Sequence, residues 1–311
     1  MPLVLTISGF VFLFLGGEAL VRGSVSIARR VGVSEIAVGV VLVGFGTSAP
    51  ELLVSIESAL LGHADLAVGN VVGSNIANIL LIVGAAALVM PISLSPGAGQ
   101  REAIVVLLAT VIVVGFSWFG ELEFWHGVVM LAGLAAYLAM AWCSGGSDWP
   151  DDEEEAEPMP HLGRAVLYAG GGLGLLVLGA DLLVEGAIEI ARKFDVSEAT
   201  IGLTIVAVGS SLPELAASTV AALRGRPSVA IGNVLGSNLF NLLGALGIVA
   251  LVMPVRTDAP DVSLAMLAML ALTGCFVALV ALRRVSRPIG VLFLLAYAGF
   301  VWMQFSIHGT P

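Results

Sequence analysis

The chain has 311 residues and a formal net charge of −10, with 58% hydrophobic and only 12% charged residues and a mean hydropathy of +1.04. A soluble domain is about a quarter charged and at most about half apolar, so this composition excludes a water-facing globule and places the chain in lipid. Six acidic residues sit in the run Asp151–Glu157, so much of the negative charge is local, and 13 Lys and Arg without a basic face exclude nucleic acid as a partner.

Met1–Leu15 is apolar but lacks the basic region of a cleaved signal, so it reads as the start of a retained first span. A span needs roughly 20 mostly apolar residues. The sequence predicts them near 3–27, 36–61, 66–90, 101–119 and 123–143, then near 163–189, 198–223, 228–252, 261–282 and 288–306. The expected fold is an all-α integral membrane protein of ten transmembrane helices. Its organisation is a first five-helix repeat over 1–143, an acidic linker over 144–162 and a second five-helix repeat over 163–311. Cys143 and Cys275 lie in apolar segments and support neither a disulfide framework nor a metal cluster.

The two halves are copies. Ser34-Glu35 matches Ser197-Glu198, Pro50-Glu51 matches Pro213-Glu214, and Gly73-Ser74-Asn75 matches Gly236-Ser237-Asn238. Each pair is offset by the same interval (214 − 51 = 163), and Met90-Pro91 matches Met253-Pro254 at that interval too. Chance likeness between apolar segments would not keep polar residues in register over that distance. Five helices per copy is an odd number, so the second copy is expected upside down in the bilayer, an arrangement that puts a substrate site at the midplane between copies. With the N-terminus outside, the inner loops hold nine basic residues (Arg29, Arg30, Arg101, Arg164, Arg224, Arg226, Arg283, Arg284, Arg287) and the outer loops three (Arg192, Lys193, Arg256). That asymmetry puts both termini outside and the linker in the cytoplasm of a plasma membrane or cell inner membrane.

Polar residues interrupt the second helix of each copy. The first reads Gly46-Thr47-Ser48-Ala49-Pro50-Glu51 and the second Gly209-Ser210-Ser211-Leu212-Pro213-Glu214. Proline removes an N–H and clashes with the carbonyl four residues back, so each helix should break there. Freed carbonyls at membrane depth persist only where they face protein or a cavity. A carboxylate at the centre of a span costs roughly 2.5–3.5 kcal/mol, so Glu51 and Glu214 imply a cation, a proton or a basic partner. Arg22 is the only basic residue at comparable depth, and its counterpart in the second copy is Glu185.

The third helix of each copy adds oxygen. Asn70, Ser74 and Asn78 recur every four residues, as do Asn233, Ser237 and Asn241, which lines each trio along one helical face. Carboxylates, hydroxyls, amide oxygens and bare carbonyls, with no thiolate or imidazole, suit Ca²⁺ or Na⁺. Glu51 and Glu214 carry −2, which one Ca²⁺, two Na⁺ or two protons would neutralise. A third Na⁺ would make the cycle electrogenic. The hydroxyls of Thr47, Ser48, Ser210 and Ser211 favour Na⁺, because protons do not need them, and Ca²⁺/H⁺ exchange stays open as the alternative.

At these residues the sequence resembles the calcium/cation antiporter superfamily, in particular its sodium/calcium exchanger branch. The segments that carry the resemblance are GTSAPEL and GNVVGSNIAN within 44–84 and GSSLPEL and GNVLGSNLFN within 207–247. The resemblance implies that Glu51 and Glu214 chelate Ca²⁺ with the backbone carbonyls of Thr47 and Ser210. It also implies that Ser48, Ser74, Ser211 and Ser237 join flanking Na⁺ sites and that Asn78 and Asn241 sit centrally. It implies alternating access in which the Gly-rich first and sixth helices (Gly16, Gly17, Gly23; Gly170–Gly172, Gly174, Gly179) slide across the rest. Many prokaryotic members and the K⁺-dependent branch carry Asp where this chain has Asn241, which argues against K⁺ dependence and leaves only two central carboxylates. No cofactor beyond the transported ions is expected, and a monomer suffices.

Other polar residues read more plainly. Asn70 and Asn233 are either ligands or holders of the third helix, and Asn75 and Asn238 are structural. Glu18 and Asp181 are cation funnels or interfacial charges, and Glu57 is a surface charge. Asp151–Glu157 lacks the spaced ligands and turn glycine of an EF-hand loop and reads as a solvated linker. No His lies at membrane depth to activate a nucleophile, which excludes an intramembrane hydrolase, and inverted copies sharing one site argue against a passive channel.

Overall fold

The computed structural model describes residues 2–143, 159, 161–194, 207–257 and 260–308, and nearly all of them are helical. In chain order the helices are α1 (Pro2–Val31), α2 (Glu35–Thr47), α3 (Ala49–Leu60), α4 (64–89), α5 (Gln100–Ser117), α6 (Phe124–Cys143) and α7 (Leu162–Lys193). They continue with α8 (Ala207–Gly209), α9 (Leu212–Leu223), α10 (Pro227–Val252), α11 (Pro260–Ala281) and α12 (Arg287–His308). Among the described residues six helices are long and apolar enough to cross a membrane, and the bent pair α2–α3 makes a seventh. The Ser197-Glu198 match, the start of the span expected at 198–223, and the acidic run lie outside the described residues.

The break in the second helix is where proline and glycine place it. α2 and α3 meet at 45°, with Ser48 between them at φ −84°, ψ 5° and Pro50 in the first turn of α3. Ser211 repeats this geometry at φ −86°, ψ 3°, with Pro213 in the first turn of α9. Proline is tolerated there because a first-turn N–H has no helical acceptor to lose.

Two short strand pairs, not expected from an all-α reading, tie the copies together. β1 (Ile92–Ser93) pairs antiparallel with β4 (Arg284–Val285) in the register Ile92↔Val285. β2 (Glu121–Leu122) pairs with β3 (Val255–Arg256) in the register Leu122↔Val255. β1 and β3 are sequence counterparts (255 − 92 = 163), as are β2 and β4 (284 − 121 = 163). β1 and β2 flank α5, so each strand lies at the opposite end of α5 from its own counterpart.

α4 and α10 form the centre. Their most apolar windows are 78% and 83% buried, against 28–39% for α1, α5, α6 and α11. Lipid-facing helices keep one apolar side outward, whereas a helix buried all round carries small residues where neighbours approach. Gly39 and Gly44 of α2 do this against α10: a Cβ on Gly39 would fall 2.6 Å from the Val229 carbonyl, and one on Gly44 2.8 Å from the Ser237 nitrogen.

α1 and α7 pack along most of their length through glycines seven residues apart. A Cβ on Gly9 would fall 2.8 Å from the Gly179 carbonyl, and one on Gly16 2.8 Å from the Gly172 carbonyl. Gly23 lies against Ala165 and Ala169 in the same way. Ascending numbers in α1 meet descending numbers in α7, so the helices are antiparallel. Gly16, Gly23, Gly172 and Gly179 therefore hold α1 to α7 and do not supply a face that slides over the other helices. Gly17 alone of the α1 set turns to α9, where it meets Val220.

Candidate functional site

The two helix breaks and the middles of α4 and α10 bring the predicted polar residues together. Glu51 and Glu214 are 1% and 2% exposed, and Thr47, Ser48, Ser211, Ser74, Ser237, Asn78 and Asn241 are all buried as well. Ser210 is half-buried. The breaks direct Glu51 and Glu214 inward from the first turns of α3 and α9.

A hydroxyl of the first copy reaches the carboxylate of the second. Ser48 Oγ donates to Glu214 Oε1 at 2.9 Å. Thr47 Oγ1 donates to the Val43 carbonyl at 3.0 Å and stands 3.3 Å from Asn233 Oδ1. Ser237 Oγ donates to the Gly44 carbonyl at 3.2 Å. Asn78 Nδ2 donates to Asn238 Oδ1 at 2.9 Å, joining α4 to α10.

Three buried acceptors of the predicted site residues find no donor among the described residues: Glu51 Oε2, Glu214 Oε2 and Asn241 Oδ1. Nearly all buried polar atoms are hydrogen-bonded, so three clustered orphans call for an external partner. Every one is an oxygen with lone pairs to offer. Arg22 does not supply the missing charge, because it pairs with Glu18 on its own helix and is 59% exposed. Glu18 also takes Arg224 at 2.6 Å, which makes it part of a surface ion cluster rather than a cation funnel. Asp181, Glu185 and Glu57 are exposed. Among the described residues no three His, Cys, Asp or Glu side chains come together, so a soft or carboxylate-rich metal cluster is not built here.

Two features of the site were missed from the sequence. α4 and α10 change to π-helix at Asn78–Ile82 and Phe240–Ala245, which widens the turns that carry Asn78 and Asn241. Single π turns cluster at functional sites. No residue pattern announces them. Ser55 and Ser218 were also passed over, although each follows its glutamate by four residues in both copies; that repeat was the available signal.

The description of the family "Sodium/calcium exchanger protein" matches residues 1–143 and 164–306. The chain belongs to this family. CaxA of Alkalimonas amylolytica is 38% identical over 313 residues, 97% of this chain and 98% of that protein. Sodium/calcium exchanger MaX1 of Methanosarcina acetivorans is 31% identical over 275 residues, 75% of this chain and 78% of that protein. The solved structure of the sodium-calcium exchanger NCX_Mj, soaked with zero Na⁺ and Ca²⁺, superposes at a TM-score of 0.85 with 30% identity, covering 96% of both chains. As a member of the sodium/calcium exchanger family, the protein is a multi-pass membrane protein and a transporter. The first stretch of the family match carries one broken helix and Glu51, and the second carries the other break and Glu214.

Proposed function

We propose that the protein is a secondary antiporter that exchanges Ca²⁺ for Na⁺ by alternating access, electrogenically. Its ten spans form two inverted five-helix repeats with both termini outside and the linker in the cytoplasm of a plasma or inner membrane, and a monomer is the working unit. The strand pairing supports inversion, since it sets counterpart strands at opposite ends of α5.

The observation that carries the reading is the pair of buried carboxylates, each with an oxygen that no protein donor meets. Two ionised carboxylates in lipid need a cation or protons. Glu51 and Glu214 then chelate Ca²⁺ at the centre with the carbonyls of Thr47 and Ser210. Ser48, Ser74, Ser211 and Ser237 serve flanking Na⁺ sites, and Asn78 and Asn241 line the central position. A fixed cage of protein oxygens suits Ca²⁺ and Na⁺ better than Mg²⁺, which gives up water reluctantly. Buried hydroxyls on both sides of the carboxylates favour Na⁺ as the counter-ion, because they are neutral oxygen ligands that protonation would leave idle.

The test is Ca²⁺ uptake into proteoliposomes loaded with Na⁺, beside identical vesicles holding only a proton gradient. Uptake driven by outward Na⁺ establishes Na⁺/Ca²⁺ exchange. Uptake driven only by protons moves the protein to Ca²⁺/H⁺ antiport on the same fold.

A further inference from the structure

Asn70 and Asn233 occupy matching places on α4 and α10, and each holds the glutamate of its own copy by the main chain. Asn70 Nδ2 lies 3.2 Å from the Glu51 carbonyl and 3.0 Å from Ser55 Oγ. Asn233 Nδ2 lies 3.2 Å from the Glu214 carbonyl and 2.8 Å from Ser218 Oγ. One amide NH₂ has two hydrogens, so each asparagine gives both to two oxygens one helical turn apart on the neighbouring helix.

Two anchor points a turn apart fix the rotation of α3 or α9 about its own axis. That rotation decides where Glu51 or Glu214 points, and both helices begin at a residue that departs from helical dihedrals, Ser48 or Ser211. The second copy has a further contact. Thr47 Oγ1 stands 3.3 Å from Asn233 Oδ1, while the next residue, Ser48, donates to Glu214 Oε1. Contacts thus run from Thr47 and Ser48 of the first copy to Asn233 and Glu214 of the second and join the two copies. Asn233 is 0% exposed, with both amide hydrogens engaged.

We propose that Asn70 and Asn233 are positioning residues: they set the direction of the Glu51 and Glu214 carboxylates through the main chain and do not touch the ion. This rests on the cation-exchange reading of the site. The groups in use are the N–H donors, and that makes the role separable from ligation. Asp in place of Asn keeps the size and the oxygen but removes both donors.

The experiment compares Asn70→Asp, Asn70→Ala, Asn233→Asp and Asn233→Ala with the unaltered protein, reading the half-saturating Ca²⁺ concentration in proteoliposomes. Each variant, Asp as well as Ala, is expected to raise it about tenfold, the loss of roughly one buried hydrogen bond's worth of preorganisation. Asp variants that match or exceed the unaltered protein would make these residues ligands and overturn the proposal. A lower maximal rate at an unchanged half-saturating concentration would make them merely structural and overturn it equally. Ser218→Ala gives a milder variant of the same clamp, and added to Asn233→Ala it should cause no further loss.

Amide hydrogen exchange across 49–55 and 212–218 supplies a readout independent of transport. Protection there should fall in all four asparagine variants, and unchanged protection overturns the clamp whatever ion is carried. Absence of Ca²⁺ exchange in the unaltered protein, with protection lost in the variants, would sink the transport reading and leave the clamp standing.

Discussion

Ser48 Oγ donates to Glu214 Oε1 at 2.9 Å, a hydroxyl at the break of one copy bound to the carboxylate at the break of the other. The other oxygen, Oε2, has no protein donor. One half of the carboxylate is thus held in place while the other half remains available, the preorganisation a site needs if it is to bind and release. Hydrogen bonds to a charged acceptor contribute about 1.5–3 kcal/mol. Ser48→Ala should therefore raise the half-saturating Ca²⁺ concentration at least about tenfold, whereas Ser48→Thr, which keeps the hydroxyl, should stay within about threefold. Equal behaviour of the two variants would show that the hydroxyl does not matter.

Glu51→Gln and Glu214→Gln each remove one charge from a site that has two. Gln is near-isosteric, so the helix breaks and the asparagine clamps stay in place, but the remaining single carboxylate no longer balances Ca²⁺. Each change should abolish Ca²⁺ exchange while leaving a monodisperse protein in detergent with an unchanged helical spectrum. Near-normal transport in either variant would reject the site.

The ion pair between Arg226 and Glu35 spans 2.7 Å with side chains 9% and 7% exposed, and it ties the start of α10 to the start of α2. Removing one partner of a buried pair costs about 3–5 kcal/mol. Arg226→Ala should therefore lower the thermal unfolding midpoint in detergent strongly. Arg224 makes the contrasting case: its pair with Glu18 leaves it 47% exposed, and exposed pairs contribute about 0–1 kcal/mol. Arg224→Ala should barely move the midpoint, and parity between the two variants would contradict the burial argument.

The seam between α1 and α7 tolerates nothing larger than hydrogen at its contact points. A Cβ on Gly179 would come 2.7 Å from the Leu13 nitrogen, and one on Gly16 2.8 Å from the Gly172 carbonyl. Both obstacles are backbone and cannot swing aside. Gly16→Val or Gly179→Val should destabilise the protein by at least about 1–3 kcal/mol, the usual cost of overpacking. Gly170→Ala is the control, since nothing lies within 4 Å of the added carbon. Equal stability of Gly179→Val and Gly170→Ala would refute the close approach.

What the sequence disclosed follows from periodicity and exact repetition. The 163-residue offset aligned Pro50-Glu51 with Pro213-Glu214, and the structure breaks both helices at Ser48 and Ser211 with nearly the same dihedrals. The polar faces of α4 and α10 followed from four-residue spacing, and Ser74, Asn78, Ser237 and Asn241 are buried as that spacing requires. Partner choice was not legible. That Gly16 packs on Gly172 depends on which helix lies beside α1, and glycine content alone suited sliding as well as clamping. The use of Asn70 was equally hidden, since an amide can offer either its oxygen or its nitrogen, and only the position of the Glu51 carbonyl selects the nitrogen. The strand pairs at 92–93 and 121–122 were too short for any alternation to show.

Asn241 Oδ1, like Glu51 Oε2 and Glu214 Oε2, is a buried oxygen without a donor among the described residues, on the π turn of α10. A neutral amide oxygen can complete a cation's shell without altering the charge balance of −2 set by Glu51 and Glu214. Asn241→Asp is nearly isosteric, so the fold and access path should persist, and the change lies in charge alone. Protonated, the new side chain is neutral like the amide. Ionised, it brings the site to −3 and shifts the balance by one monovalent cation. Ca²⁺ exchange should therefore survive but acquire a dependence on pH, or on K⁺ as an added co-ion, that the unaltered protein lacks. The check is Ca²⁺ uptake across pH 6–9 with and without K⁺ in both proteins. Superimposable profiles would show that position 241 stands outside the cation's reach.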